Sequence, residues 1–259
     1  MDFSGKTAIV TGAAGAIGKG IAADLCKKGA SVFITDLNPD AVAAAVKELS
    51  TAGQCAGAAA DVTSEPQVKA CVEAALKALG GRVDILINVA GIVGQGTVEN
   101  ITVEEWDKMF AVNCRGTFLF TKYCVPAMKA NRFGKIVNFS SKSGKTGSAL
   151  MSHYSAAKAA IIGFTQALAY ELADFGITVN CLCPGITDNT GVWSHVSAGY
   201  IQNLGKSREE VVKQFTSKAP LKRLATIEDV VAVTSFLCSP GSDYVTGQAI
   251  NITGGREMH

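Results

Sequence analysis

The sequence lacks several features that would place the chain in other protein classes. It has only three histidines and eight scattered cysteines with no Cys-x-x-Cys pair, which leaves little for a zinc site or a disulfide framework. No stretch reaches the roughly 18 consecutive apolar residues of a membrane-spanning helix. The first residues have neither the basic nor the apolar segment of a secretory signal. We therefore expect a soluble, cytoplasmic protein with no metal ion and no disulfide bonds.

An excess of charge of either sign is also missing. The chain has 24 Lys and Arg against 22 Asp and Glu, a formal charge of +2. Nucleic-acid binding requires a dense basic face, so we expect no nucleic-acid partner. Hydrophobic residues make up 48% and charged residues 18%, which indicates a globular protein with a large buried core. With no linker or repeat, the 259 residues predict one domain spanning 1–259.

Short apolar runs alternate with longer segments of helical periodicity. Apolar strands separated by helices are typical of a parallel sheet covered on both faces. The sequence thus predicts an α/β, doubly wound Rossmann fold with a seven-stranded parallel sheet. The predicted strands are residues 7–11, 31–35, 56–60, 84–88, 135–140, 177–182 and 248–252, and the predicted helices are 16–29, 39–52, 65–79, 103–130, 153–175 and 226–238.

Residues 186–219 depart from this alternation. They form a long polar segment that contains Trp193, His195 and Tyr200 and a helical pattern at 207–215. The segment leaves the carboxyl end of the sixth strand, where ligands bind in doubly wound sheets. Long loops in compact domains are often functional, so we interpret this one as a substrate lid.

A glycine-rich turn, Thr11-Gly12-Ala13-Ala14-Gly15-Ala16-Ile17-Gly18, joins the first strand to the first helix. Small residues let the backbone approach a pyrophosphate at a helix N-terminus, which predicts a dinucleotide site. The spacing differs from G-x-G-x-x-G, and the alternative interpretation is a tight turn with no ligand. Asp36 ends the second strand, where a carboxylate binds ribose hydroxyls and repels a 2′-phosphate. This favours NAD over NADP, unless Asp36 merely caps the helix that begins at Pro39.

Tyr154 and Lys158 are four residues apart on a predicted helix and therefore share one face. A free phenol has a pKa near 10, and a fixed ammonium nearby lowers it towards neutral pH, which suits acid–base catalysis. Such pairs are also common on helix surfaces. Here, however, Ser141 follows the fifth strand at the same sheet edge, as do Asn88 after the fourth and Pro184-Gly185 after the sixth.

These ordered motifs, which extend from Thr11-Gly12 to Thr253-Gly254-Gly255, resemble those of the short-chain dehydrogenase/reductase family. The resemblance implies that Tyr154 is the general acid–base and that Lys158 holds the nicotinamide ribose. It further implies that Ser141 hydrogen-bonds the reacting oxygen, that Asn113 orders a proton-relay water, and that the protein is a homotetramer. The implied cofactor-binding residues are Gly12, Gly15, Ala16, Ile17, Gly18, Asp36, Asp61, Val62, Asn88, Tyr154, Lys158, Pro184, Gly185 and Ile186.

Three positions depart from the family pattern. Ala16 replaces a glycine, with Gly15 one position earlier, and Val89 replaces the second asparagine of the usual Asn-Asn-Ala-Gly. The threonine expected five residues after Pro184 is Asn189, which leaves Thr187 and Thr190 as candidates for the contact with the nicotinamide.

The loop after Ser141 and part of the lid resemble those of polyol dehydrogenases, including the sorbitol-6-phosphate type. This predicts an alcohol or ketone substrate: a polyol, a sugar with or without a phosphate group, or a small diol. Lys142 or Lys145 would meet an anionic or hydroxyl-rich substrate, unless both are solvated loop residues. Two alternatives remain open, a 3-oxoacyl-carrier-protein reductase and a dinucleotide-binding sensor without turnover, although a sensor has no need of a phenol beside a hydride.

Overall fold

The computed structural model describes residues 1–191, 193, 197 and 207–259. Within these residues, seven parallel strands form one sheet in the order β3-β2-β1-β4-β5-β6-β7. The predicted doubly wound Rossmann fold is thereby confirmed. The strands are β1 (Thr7–Thr11), β2 (Ser31–Asp36), β3 (Cys55–Ala59), β4 (Ile85–Asn88), β5 (Gly134–Phe139), β6 (Ile177–Pro184) and β7 (Ala249–Ile252).

The helices connect successive strands and cover both faces of the sheet, and their predicted positions are correct to within a few residues in most cases. They are α1 (Ala16–Lys27), α2 (Pro39–Leu49), α3 (Glu65–Ala78), α4 (Val103–Phe110), α5 (Gly116–Asn131), α6 (Lys142–Thr146), α7 (Ser152–Leu172), α8 (Arg208–Thr216) and α9 (Ile227–Cys238).

One predicted helix is wrong in its continuity. The segment 103–130 is divided into α4 and α5 by a π-helical turn at Ala111–Arg115. Such turns insert a residue into an α-helix and often occur at functional sites, and this one carries Asn113. The turn contains neither proline nor glycine, so no helix-breaking residue marks it in the sequence.

The apolar character of the strands is explained by burial on both faces. In β1, Ala8 and Val10 belong to a cluster that includes Ile21 of α1, whereas Ile9 belongs to a second cluster that includes Phe120 of α5. Ala8, Ile9 and Val10 are completely buried. Successive side chains of a strand point to opposite faces, so both layers of helices pack against apolar surface.

The order of the strands reverses between β1 and β4. From β1 the chain continues to β2 and β3 on one side, and from β4 to β7 on the other. Thr11, the last residue of β1, pairs in register with Thr35 of β2 and with Asn88 of β4. The loops that leave these strands therefore diverge at one edge of the sheet and open a crevice there.

Cys181 and Cys183 lie on β6 and are completely buried beside Ile161, as expected for two core thiols that face the same side. None of the helices that the structure describes is both long and apolar enough to cross a membrane. Across the described part of the chain, no group of three or more His, Cys, Asp or Glu side chains could hold a metal ion.

Candidate active site

A crevice of about 680 Å³ lies at the carboxyl edge of the sheet. It extends from the glycine turn and the end of β2 to the ends of β5 and β6. This single space brings together most of the predicted site residues. Those that line it are Gly12, Gly15, Ala16, Ile17, Gly18, Asp36, Asp61, Val62, Ser141, Tyr154, Lys158, Pro184, Gly185 and Ile186.

The glycine turn is held close to the loop that follows β4. Gly12 has φ = +64°, and a Cβ atom at this position would lie 2.8 Å from Cα and N of Ala90. The Thr11 hydroxyl accepts hydrogen bonds from the backbone N–H groups of Val89 and Ala90, each 3.1 Å long. The sequence pattern gives Thr11 no such role, because its side chain acts on a loop that is distant in sequence.

Helix α1 begins at this turn without a capping side chain. Its N-cap is Gly15, no side chain caps the helix, and its first turn has no acidic residue. The N–H groups at a helix N-terminus attract anions, and small residues leave room for a phosphate to approach. The turn therefore fits the pyrophosphate of a dinucleotide.

Asp36 is oriented by the glycine turn. One carboxylate oxygen accepts a hydrogen bond of 3.0 Å from Ala14 N–H, and the other accepts one of 2.7 Å from Leu37 N–H. The alternative interpretation of Asp36 as a helix cap is wrong, because Asn38 caps α2 by accepting from Ala41 N–H. A carboxylate can accept about four hydrogen bonds, so Asp36 retains acceptor capacity towards the crevice.

Asp61 and Asn88, two further predicted residues near this end of the crevice, differ in where their side chains point. Asp61 lines it and accepts hydrogen bonds from the backbone and side chain of Thr63. The Asn88 side chain instead points into the sheet, where its amide donates to Asn138 at 2.9 Å and to Thr121 at 3.3 Å. The backbone that follows Asn88, at residues 89–91, forms the wall of the crevice.

Tyr154 and Lys158 lie on the first half of α7, and both are buried. The Lys158 ammonium is 5.7 Å from the centre of the Tyr154 ring and donates a hydrogen bond of 2.9 Å to the Phe139 carbonyl. The Ser140 hydroxyl donates to the Lys158 carbonyl at 2.7 Å, which ties α7 to the end of β5. Ser141, the next residue, is left to face the crevice.

The electrostatics of this group differ from the expectation in one respect. Burial raises the pKa of the Tyr154 phenol, and the interaction with the Ser141 hydroxyl offsets part of this rise. Burial also lowers the pKa of Lys158 to about 8. In the protein alone, desolvation of the buried phenol thus outweighs the expected effect of the ammonium on its pKa.

Replacing Lys158 with Met should stabilise the protein at neutral pH. The pKa of Lys158 is about 8 in the folded chain and 10.5 when unperturbed. Between these pH values the unfolded chain binds more protons than the folded chain, so the free energy of unfolding rises with pH. Below this window, the folded protein bears the full cost of burying the charged ammonium. The difference between these two pKa values represents roughly 3 kcal/mol. Subtracting about 1 kcal/mol for the lost hydrogen bond, we expect a gain of about 2 kcal/mol at pH 7.

Urea unfolding at neutral pH and near the upper end of that window measures this effect. The gain should shrink as the wild-type lysine becomes neutral. If Lys158→Met destabilises the protein equally at both pH values, the charge of Lys158 does not destabilise the folded state.

Asn113 is held by the π-helical turn beside Lys158. Its amide nitrogen donates to the carbonyls of Ile92 and Met109, both at 3.0 Å, while its Oδ1 is buried without a partner among the described residues. A Cβ atom on Gly91 would lie 2.6 Å from Asn113 Oδ1 and 3.3 Å from Lys158 Nζ. Both atoms therefore border the space over Gly91, which suits a water molecule that connects them.

Beyond β6, the structure separates the three candidates for the nicotinamide contact. Thr187 and Thr190 line the crevice, whereas Asn189 is exposed with φ = +57°. The Thr187 hydroxyl oxygen is buried with no hydrogen-bond partner among the described residues. Thr187 therefore has a polar atom to offer a ligand, and Asn189 does not face one.

Part of the predicted lid lines the same space. Trp193 is buried and packs edge-to-face on Phe215 of α8, with ring centres 6.1 Å apart. Helix α8 is where the pattern at 207–215 predicts it, and Ser207 caps it. His195 and Tyr200 lie outside the described residues.

The crevice is also lined by residues that no sequence motif identifies. Most are apolar side chains, and one is a charged residue of the C-terminal tail. They are Ile92, Val93, Met151, Phe215, Leu224 and Arg256.

Comparisons with known proteins place these features in a family. The family model described as enoyl-(acyl carrier protein) reductase matches residues 12–257. The sorbitol dehydrogenase of Cereibacter sphaeroides is 37% identical over 259 residues, which cover 100% of both chains. The putative ketoacyl reductase of the monensin polyketide synthase of Streptomyces virginiae is 36% identical and covers 96% of each chain.

Two solved structures are similar over nearly the whole chain. NAD⁺-bound xylitol dehydrogenase has a TM-score of 0.93 at 29% identity, covering 98% of this chain and 100% of that one. A single-substitution variant of actinorhodin polyketide ketoreductase with NADPH has a TM-score of 0.94 at 36% identity, covering 98% of both. Both polyol dehydrogenases and ketoreductases are thus among the similar proteins.

Proposed function

We propose that this chain, which belongs to the short-chain dehydrogenase/reductase family of oxidoreductases, is an NAD(H)-dependent dehydrogenase of a polyol, sugar or small diol. The observation that carries the proposal is the layout of one crevice. A glycine turn and Asp36 form one end, and Ser141, Tyr154 and Lys158 form the other. The first set suits a dinucleotide and the second suits proton transfer at a carbinol oxygen.

The residues present fit such a cofactor. The cradle at Gly12 and Gly18 is so narrow that a Cβ atom would meet backbone at 2.8 and 2.4 Å, respectively. Asp36 can accept from the adenosine ribose and Lys158 can donate to the nicotinamide ribose. Thr187 offers a hydroxyl that has no partner among the described residues. When bound, the nicotinamide ring accepts or gives the hydride at the substrate carbon.

The chain's own residues then handle the proton. Tyr154 takes the proton of the substrate hydroxyl during oxidation and returns it during reduction, so no alkoxide persists. Ser141 hydrogen-bonds the substrate oxygen as its charge changes. Lys158 favours the phenolate by its positive charge, and Asn113 holds the water through which the proton reaches solvent.

Asp36 supports the choice of NAD, since a 2′-phosphate would face its carboxylate. We expect Asp36→Asn to raise the ratio of kcat/KM with NADP to kcat/KM with NAD by about tenfold or more, because like-charge repulsion is removed. The amide oxygen of Asn can still accept from Ala14 N–H. Initial rates with both dinucleotides measure the ratio.

Asp40 provides a matched control, because it is an exposed carboxylate in the first turn of α2. Asp40→Asn should leave the ratio unchanged. If Asp36→Asn and Asp40→Asn give the same ratio as wild type, the carboxylate at the end of β2 does not select the dinucleotide.

A substrate screen tests the proposal as a whole. Polyols, sugar phosphates and 3-ketoesters are each supplied with NAD(H) and NADP(H), and the nicotinamide absorbance is followed. NAD-linked oxidation of a polyol supports the proposal. Turnover of 3-ketoesters alone, with NADPH, would replace it with an acyl-carrier ketone reductase, and dinucleotide binding without any turnover would replace it with a sensor.

We further propose a homotetramer assembled through outward helix faces. Trp106 of α4, Phe118 of α5 and Tyr170 of α7 are exposed aromatic side chains, Tyr170 to 90%. Burying such side chains between subunits is favourable. Light scattering gives the molar mass, and a monomer in solution would refute this assembly.

A further inference from the structure

Two cationic side chains that share one carboxylate neighbour line the crevice. Lys142 follows Ser141 directly, and Arg256 belongs to the C-terminal tail; both line the crevice. The tail folds back onto the end of β7, because the Asn251 amide donates to the Glu257 carbonyl at 3.1 Å and the Thr253 hydroxyl accepts from Glu257 N–H at 3.2 Å. Residues far apart in sequence thus form one charged pair.

The positive charge of this pair is only partly balanced. Glu257 Oε1 lies 3.8 Å from Lys142 Nζ and 3.3 Å from Arg256 Nε, and it is the only carboxylate within ion-pair distance of either in the described part of the chain. The acidic residues among those that line the crevice are Asp36 and Asp61, which are at the dinucleotide end. One positive charge therefore remains in excess beside the substrate space.

The pair also has donors to spare. Lys142 Nζ donates to the Gly147 carbonyl at 3.1 Å and to the Ser148 hydroxyl at 3.2 Å, while its distance to Glu257 is too long for a hydrogen bond. An ammonium has three N–H donors, so one remains for a ligand. Arg256 places its guanidinium over the Phe215 ring at 5.4 Å, which orients the planar group.

The environment makes this pair receptive to an anion. The Lys142 side chain is 15% exposed and that of Glu257 only 8%. Burial and the neighbouring Arg256 lower the pKa of Lys142. A second anion would relieve this repulsion, and charge-assisted hydrogen bonds are strong where water is largely excluded.

We propose that Lys142 and Arg256, with the hydroxyl of Ser148, form a subsite for a terminal phosphate or carboxylate of the substrate. This inference rests on the proposed function and narrows its substrate to an anionic hydroxy compound. Because Lys142 adjoins Ser141, the anionic group is held at a fixed offset from the reacting carbinol. Lys145, the other lysine of the loop, does not line the crevice.

Substrate pairs test the subsite in the full-length protein at saturating NAD⁺. Each pair is a polyol and the same polyol with a terminal phosphate or carboxylate. In each variant, Arg256→Gln and Lys142→Gln, we compare kcat/KM for the anionic member with kcat/KM for the neutral member. This ratio should fall about tenfold or more, because one charge-assisted hydrogen bond is lost. Lys145→Gln is the matched control and should keep the wild-type ratio.

Inorganic phosphate and acetate are the probes that need no turnover. Calorimetric titration with NAD⁺ present, which fills the glycine turn, should show anion binding that Arg256→Gln weakens about tenfold and Lys145→Gln does not. If phosphate binds more tightly than acetate, the anionic group of the substrate is a phosphoryl group. If acetate binds more tightly, it is a carboxylate.

The two proposals fail in different ways. Anion binding that depends on Arg256, in a protein that turns over no substrate, would uphold the subsite and refute the dehydrogenase. The subsite alone would be refuted if the protein oxidises neutral polyols with NAD⁺ but anion binding does not depend on Arg256. In that case wild type and Arg256→Gln would bind the anions equally, or neither would bind them.

Discussion

Replacing Tyr154 with Phe should lower kcat about 10³-fold while dinucleotide affinity changes little. The substitution removes only the hydroxyl, so the buried ring still fills its place beside Ser141 and Ala157. General acid–base groups contribute typically 10²- to 10⁴-fold. Steady-state rates and calorimetric binding of NAD⁺ separate the two effects.

Tyr123 supplies the control for this substitution. Its hydroxyl donates to exposed Glu65 at 2.8 Å, and neither residue lines the crevice. Tyr123→Phe loses the same atom and should keep the wild-type kcat. A Tyr154→Phe enzyme with more than a tenth of the wild-type kcat would assign proton transfer to another group.

Replacing Gly12 with Val should weaken NAD⁺ binding about 100-fold or more. At φ = +64° a branched side chain is strained, and its Cβ would lie 2.8 Å from the Ala90 backbone. Either the glycine turn or the loop at 89–91 must then move, and both line the crevice. Together, strain and displacement exceed the roughly 2.7 kcal/mol that a 100-fold change represents.

Gly5 separates backbone strain from loss of the cradle. It has φ = +74°, similar to Gly12, but a Cβ atom there has no neighbour within 4 Å. Gly5→Val therefore introduces the same kind of strain without the close approach. If both variants bind NAD⁺ equally, whether both well or both poorly, the approach of Gly12 to Ala90 is not what forms the dinucleotide site.

Much of the fold could be predicted because its determinants are local in sequence. Runs such as Thr7–Thr11 are buried at every position because both faces of the strand are covered. What patterning could not show was the π-helical turn at Ala111–Arg115, since none of its five residues is a proline or glycine that would mark a break in the helix. The short helix at Lys142–Thr146 also escaped prediction, because five residues give too little periodicity.

The site was predictable where a motif fixes chemistry to one strand end or one helix face. Tyr154 and Lys158 share a face of α7, and Ser141 meets them because β5 ends there. Tertiary contacts decide the rest. Asn88 turns its amide to Asn138, and Arg256 reaches the crevice only because β7 directs the tail back over it.

Tyr154 is expected to become a working acid–base group when the dinucleotide is bound, and its titration tests this most directly. Ultraviolet difference spectroscopy of wild type against Tyr154→Phe, as a function of pH, isolates its phenolate. In the protein alone, this phenol should titrate above its ordinary pKa of 10.0, because burial raises it. With NAD⁺ bound, the added positive charge should move the titration clearly to lower pH, and an unchanged pKa in the complex would contradict the account.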